Sequence, residues 1–145
     1  MSGMVDIGEK RVVKRVAEAE GRIKLKSSTL DAIKKGEIRK GDVLNTARTA
    51  GIMGAKSTAI LIPLCHQIPL ESIELDFRIL EDGIVCKCKV KANYRTGVEM
   101  EALTGVILAL LTIWDMTKYL EKDVNGQYPT TLIEDVKVIR KEKGD

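Results

Sequence analysis

The sequence predicts an α+β fold of the ferredoxin-like, split βαβ kind: an antiparallel sheet with helices packed on one face. Three observations predict it. The segments run strand, two short helices, a strand–strand hairpin, one long helix and a last strand. The 145 residues suit one domain spanning 1–145. The composition, 44% hydrophobic and 31% charged, is that of a packed globule, and only 3% aromatics makes its core aliphatic.

The first strand is expected over Arg11 to Leu25. Val13, Arg15, Ala17, Ala19, Gly21, Ile23 and Leu25 alternate there with Lys14, Val16, Glu18, Glu20, Arg22 and Lys24. Ser28 or Thr29 is expected to cap a short helix, Leu30 to Lys35, that stops at Gly36. Asp42 is a candidate N-cap for a second helix with Val43, Leu44, Ala47 and Ala50 inward. Its small residues, with Gly51, Gly54 and Ala55, suggest close backbone approach. Pro63 to Leu70 reads as a loop. Glu71 to Leu80 and Ile84 to Tyr94 form a hairpin turning at Glu81-Asp82-Gly83. Glu99 to Glu121 is the main helix, and Thr131 to Lys141 the last strand. Between Leu103 and Trp114 the main helix is apolar nearly all round. A helix on a sheet needs one apolar face, so the other is expected to meet a partner subunit, making the protein a homo-oligomer.

Charge and cysteine usage narrow the class. The net charge of +3 implies no nucleic acid or membrane partner. The uncharged run from Ala102 to Trp114 is shorter than the roughly 20 residues that span a bilayer. Lys10 to Lys40 holds eleven Lys/Arg against four Asp/Glu, a basic segment suited to an anionic ligand. Three cysteines, Cys65, Cys86 and Cys88, and no apolar leader in Met1 to Lys10 point to a reduced, cytoplasmic protein. One histidine and dispersed cysteines make a zinc site improbable, and no metal site is expected.

Several residues carry candidate chemistry. His66, the one histidine, sits in the proline-bracketed loop Pro63 to Pro69, where an imidazole can exchange protons near neutral pH. Thr96-Gly97-Val98-Glu99 fits a capping box, a structural use for Glu99. Glu101 lies one residue before the helix turns apolar and is expected to be partly buried near a cation or ligand. Asp115 interrupts the apolar face, with Lys118 three residues on. Such a pair is either an exposed salt bridge or a base and acid at an apolar edge, where pKa values move towards neutrality. Glu101 and Asp115 are fourteen residues apart, roughly 21 Å along a helix. A small pocket using both must lie between subunits. Lys40 beside a helix N-terminus is a phosphate-binding arrangement, and Lys56 after the Gly51 to Ala55 stretch is a candidate second cation, although no GxxxxGK[ST] or GxGxxG motif occurs.

Together these segments resemble the MoaC family, the cyclic pyranopterin monophosphate synthases of molybdenum cofactor biosynthesis. The resemblance rests on Met4-Val5-Asp6, Lys40-Gly41-Asp42-Val43, Ala47-Arg48, Ala50-Gly51-Ile52, Ala55-Lys56, Leu61 to His66, Thr96 to Thr104 and Leu111 to Lys118. It implies a reaction: a 3′,8-cyclised dihydro-GTP is rearranged to cyclic pyranopterin monophosphate with release of diphosphate. No net redox change occurs, so no iron–sulfur cluster and no resident cofactor are implied; Mg²⁺ could accompany the triphosphate. The resemblance makes Asp115 the principal catalytic residue, with Lys118, Lys40 and His66. It places Leu64, Cys65, His66, Glu99, Met100 and Glu101 against the substrate and aligns Lys56 and Arg15 with basic positions that could hold phosphates. It implies a homohexamer, a trimer of dimers with pockets at the dimer interface.

The C-terminus departs from the family pattern. A Gly/Ser-rich segment with paired glycines is replaced by Val138 to Asp145, which keeps lysines only. A competing reading is a non-catalytic ferredoxin-like module that binds RNA or a nucleotide. The scarcity of aromatics on the strands opposes it. A third is a purely structural oligomer.

Overall fold

The computed structural model describes residues 2–144. Its elements are β1 (Val13–Lys24), α1 (Ser27–Lys34), α2 (Val43–Lys56), α3 (Thr58–Leu61), β2 (Leu70–Ile79), β3 (Gly83–Tyr94), α4 (Glu99–Glu121) and β4 (Leu132–Lys143). The strands order β2-β3-β1-β4, each antiparallel to its neighbour. This is the ferredoxin-like arrangement expected from the sequence.

The inner sheet face carries Ala17, Ala19 and Ile23 of β1 and Cys86, Cys88 and Val90 of β3, all fully buried. Against them α4 sets Ala102, Val106, Ala109, Leu110 and Ile113. Gly21 is demanded by this packing: a Cβ there would lie 2.8 Å from Val106 Cγ1 and 2.9 Å from Val136 Cγ2. The outer face alternates in sign across all four strands. Asp76, Lys87, Glu20 and Lys137 form one row, and Glu74, Lys89, Glu18 and Arg140 the next. Opposite charges face each other across each strand pair, which keeps this face polar and in register. Arg140 Nε donates to Glu18 Oε2 at 2.8 Å, and that bond holds the Glu18 carboxyl below the usual carboxylate range.

Local chemistry accounts for most boundaries. Asp42 caps α2 as expected, its Oδ1 accepting from Asn45 N–H at 3.1 Å. Gly36, just past α1, adopts a left-handed φ of 69°. The cap of α1 differs from expectation. The helix starts at Ser27 after Lys26, and neither Ser28 nor Thr29 caps it. Glu121, at the far end of α4, instead anchors the start of this helix. Its Oε2 accepts from Lys26 N–H at 3.1 Å and from Thr29 Oγ1 at 2.5 Å, and its Oε1 from Thr131 Oγ1 at 2.6 Å. The capping box at α4 also fails to form. The N-cap is Val98, which carries no polar side chain, and Glu99 is committed elsewhere. The one-turn α3 was not expected, and β4 runs two residues beyond Lys141.

The helix α4, 23 residues, is long and apolar enough to cross a membrane by length and composition alone, but more than half of that stretch is buried in the fold. It is the core helix. Ile107 and Leu111 stand 43% and 52% exposed on its other side, beside exposed Met53 on α2 and Ile60 and Leu61 on α3. The close approach of α2 that frames this band depends on Gly51: a Cβ there would lie 2.4 Å from Leu75 Cδ2 and 2.9 Å from the Gly105 carbonyl.

Candidate active site

The expected site residues fall into two groups at opposite ends of α4. The first lines a cavity of about 400 Å³. Leu64, Cys65 and His66 enter it from the loop after α3, and Glu99, Met100 and Glu101 from the first turn of α4. The N-terminal segment closes one side through Val5, Ile7 and Lys10. His66 Nε2 lies 2.6 Å from the Val5 carbonyl oxygen. A carbonyl only accepts, so Nε2 carries a hydrogen there and Nδ1 is left for a ligand.

The two glutamates differ in environment. Glu101 is 4% exposed. Burial pushes its carboxyl up, and the neighbouring Glu99 adds to the rise. For Glu99 burial also pushes upward, but the bond from Lys141 Nζ, at 2.8 Å, and the charge of Arg15 outweigh it. The Glu99 carboxyl therefore lies below its ordinary range. Its position depends on Gly97, where a Cβ would lie 2.8 Å from the Glu99 carboxyl carbon. Burial and then Glu101 raise the Cys65 thiol, which opposes a thiolate nucleophile.

The second group surrounds Asp115. Lys40 Nζ lies 3.0 Å from Asp115 Oδ2, and Lys118 Nζ 3.3 Å from Oδ1. Lys40 comes from the loop before α2, which Tyr119 anchors: its hydroxyl accepts from Arg39 N–H at 2.9 Å, and the Arg39 guanidinium stacks 4.4 Å above its ring. The hydrogen bond from Lys40, then that from Lys118, holds the Asp115 carboxyl below the usual range. A shift towards neutrality was the alternative expectation for this apolar edge. It fails because the carboxylate is open to water and faces two ammonium groups.

Arg15 and Lys56 line neither the first cavity nor the Asp115 cluster, although the charge of Arg15 reaches Glu99. Arg15 is 7% exposed, and its guanidinium donates to the Tyr94 carbonyl at 3.5 Å and the Arg95 carbonyl at 3.2 Å. It braces the β3–α4 connection that carries Gly97 into the cavity. Lys56, at the end of α2, lines a second cavity of about 350 Å³ with Glu71 and Ser72; Ile68 borders both cavities. Cys86 and Cys88 are buried on the inner sheet face, where burial pushes both thiols up to about 12. Among the described residues, no three His, Cys, Asp or Glu side chains gather closely enough to hold a metal ion.

A family model, described as the MoaC family, matches residues 4–144. The chain belongs to the MoaC family. Similar MoaC proteins share most of its length. A protein of Saccharolobus solfataricus named a probable cyclic pyranopterin monophosphate synthase is 58% identical over 140 residues, 97% of this chain and 94% of its own. One of Thermococcus kodakarensis with the same name is 56% identical, over 98% of this chain and 91% of its own. Another of Archaeoglobus fulgidus, again so named, is 56% identical, over 97% of this chain and 90% of its own. Both groups thus sit inside the matched MoaC region, yet one protomer holds them apart.

Sequence reasoning missed four participants. Lys10 and Val5 line the first cavity. Met4-Val5-Asp6 was already part of the family resemblance, and Lys10 opens the basic run, so a signal existed. Lys141 had none, because its face on β4 depends on a bulge. Glu121 had none either, because its partners lie on α1 and just before β4.

Proposed function

We propose that this chain is a cyclic pyranopterin monophosphate synthase. It converts 3′,8-cyclo-7,8-dihydroguanosine 5′-triphosphate to cyclic pyranopterin monophosphate and diphosphate, a lyase step of molybdenum cofactor biosynthesis. The observation that carries this reading is the similarity, over 97% of the chain, to proteins named as probable synthases of that product.

The site is assembled from two protomers. Glu101 and Asp115 are equidistant from residue 108, and the exposed Ile107 and Leu111 flank that point. A two-fold axis there pairs α4 with its antiparallel copy. It covers the apolar band and sets each protomer's glutamate pocket against the partner's aspartate group. Trimerisation of such dimers gives a homohexamer, and the free cysteines Cys65, Cys86 and Cys88 support a cytoplasmic location. Lys40, Lys56 and the α2 N-terminus neutralise the triphosphate and the departing diphosphate, with Mg²⁺ as a companion of the phosphates. Asp115 and Lys118 move protons as the purine-derived ring opens and recloses. Met100 and Glu101 position that ring, and His66 Nδ1 addresses a ligand group. Arg15 acts on the pocket through the loop it braces. The RNA-binding alternative is not favoured, because two outer-face arginines are paired: Arg22 lies 3.1 Å from Asp82 and 3.2 Å from Glu134, and Arg140 2.8 Å from Glu18.

Incubating the purified protein with the cyclised dihydro-GTP should release one diphosphate per cyclic pyranopterin monophosphate formed, read by a pyrophosphatase-coupled phosphate assay and by chromatography. Substrate left intact by a folded protein would contradict the reading.

A further inference from the structure

We propose that Lys141, turned towards the pocket by a bulge at Ile139, is a positioning residue that fixes the Glu99 carboxyl in the pocket it shares with Glu101. The proposal rests on the functional reading above and adds a residue from the strand that replaces the glycine-rich segment. In the β1–β4 ladder Ala19 pairs with Val138, but Glu18 pairs with Arg140, so Ile139 is an extra residue. Val138 opposite Ala19 faces the helices, and Arg140 opposite Glu18 faces outward. The next residue, Lys141, pairs with Ala17 and faces the helices again. Without the extra residue, alternation would turn Lys141 to the outer face. Lys141 Nζ instead meets Glu99 Oε1 at 2.8 Å, and the bare backbone of Gly97 leaves the space that the Glu99 carboxyl occupies.

The result is one pocket with two carboxyl groups in opposed settings. Glu99 faces Lys141 from β4 and Arg15 from β1, and Lys10, His66 and Cys65 line the same cavity. Glu101, on the same helix turn, is buried and raised. Environments that push two carboxyl groups apart define an acceptor and a donor of protons. Glu99 then accepts hydrogen bonds from the substrate, and Glu101 stands beside it as the carboxyl that burial makes harder to ionise.

The test compares Lys141→Met with Lys141→Arg. Lys141 is 63% exposed at its side chain, so both variants should fold. Carbon-13 NMR titration of glutamate-labelled protein, with Glu99 assigned through Glu99→Gln, reads the carboxyl directly and needs no turnover. Removing the cation leaves burial less opposed, so the Glu99 midpoint should rise in Lys141→Met and return in Lys141→Arg. Turnover should follow. kcat/KM falls roughly tenfold, as expected for one lost charge-assisted hydrogen bond, its acid limb moves to higher pH, and arginine restores both. An unmoved Glu99 midpoint would overturn the proposal, as would lost activity with an unmoved acid limb and no rescue. An inactive wild type would instead sink the functional reading, while the titration would still decide the role of Lys141.

Discussion

Asp115→Asn is expected to lose at least about a hundredfold in kcat, the scale of a missing general acid–base group, with its melting temperature and oligomeric state unchanged. The two halves of this expectation have separate grounds. Asp115 is 55% exposed at its side chain, and its partners are the mobile ends of Lys40 and Lys118, so little folding stability depends on it. Chemically, among the described residues it is the one carboxylate that two ammonium groups bond, and they hold it below the usual carboxylate range. Asparagine keeps the shape and one acceptor oxygen but can take no proton. It also leaves Lys40 and Lys118 without the charge that places them. Steady-state diphosphate release, with thermal melting of the same sample, checks both halves. Activity within about twofold of wild type would remove Asp115 from the chemistry and return the trio to an ordinary surface ion-pair cluster.

The second large effect is on stability and lies outside both halves of the site. Glu121→Ala should cost about 3 kcal/mol or more, because it strands two buried donors and one part-buried one, each costing about 1–3 kcal/mol when unpaired. These are the Lys26 N–H and the hydroxyls of Thr29 and Thr131. For a chain this size that is a fall of roughly 10 °C in melting temperature. Glu121→Gln should fall by much less, since its amide keeps an acceptor oxygen and the threonine hydroxyls can rotate to accept from its NH₂. Thermal unfolding of the two variants side by side checks this. Equal losses would show that the group acts by packing and not by satisfying donors.

The strand and helix pattern was legible because burial obeys simple periods. Alternation in β1, the hairpin at Asp82-Gly83 and the unbroken apolar run of α4 all register directly in residue order. Within the site, His66, Glu101 and Asp115 stood out as polar groups set against prolines or apolar residues. The fourteen-residue separation of Glu101 and Asp115 already pointed to a pocket between subunits. What stayed hidden depends on contacts between distant segments. Glu121 looked like the last residue of a helix, and its partners lie 92 and 10 residues away in sequence. Glu99 matched a capping box, but Lys141, brought round by a one-residue bulge, took its carboxyl instead. Arg15 reads in sequence only as a basic residue, and its bonds to the Tyr94 and Arg95 carbonyls become visible only in the fold. Each miss is a local rule overridden by a tertiary hydrogen bond.

The central claim is that one working site needs the glutamate pocket of one protomer and the aspartate group of another. Subunit complementation tests it most directly. Glu101→Gln and Asp115→Asn protomers, each expected to be inactive alone, are co-expressed under separate tags, and mixed oligomers carrying both tags are purified. In a two-fold dimer of one of each, one interface site is intact and the other doubly impaired. Mixed oligomers from random pairing should therefore recover roughly a quarter of wild-type turnover. Mixed oligomers as inactive as their parents would contradict the shared site and require each protomer to act with its own two groups.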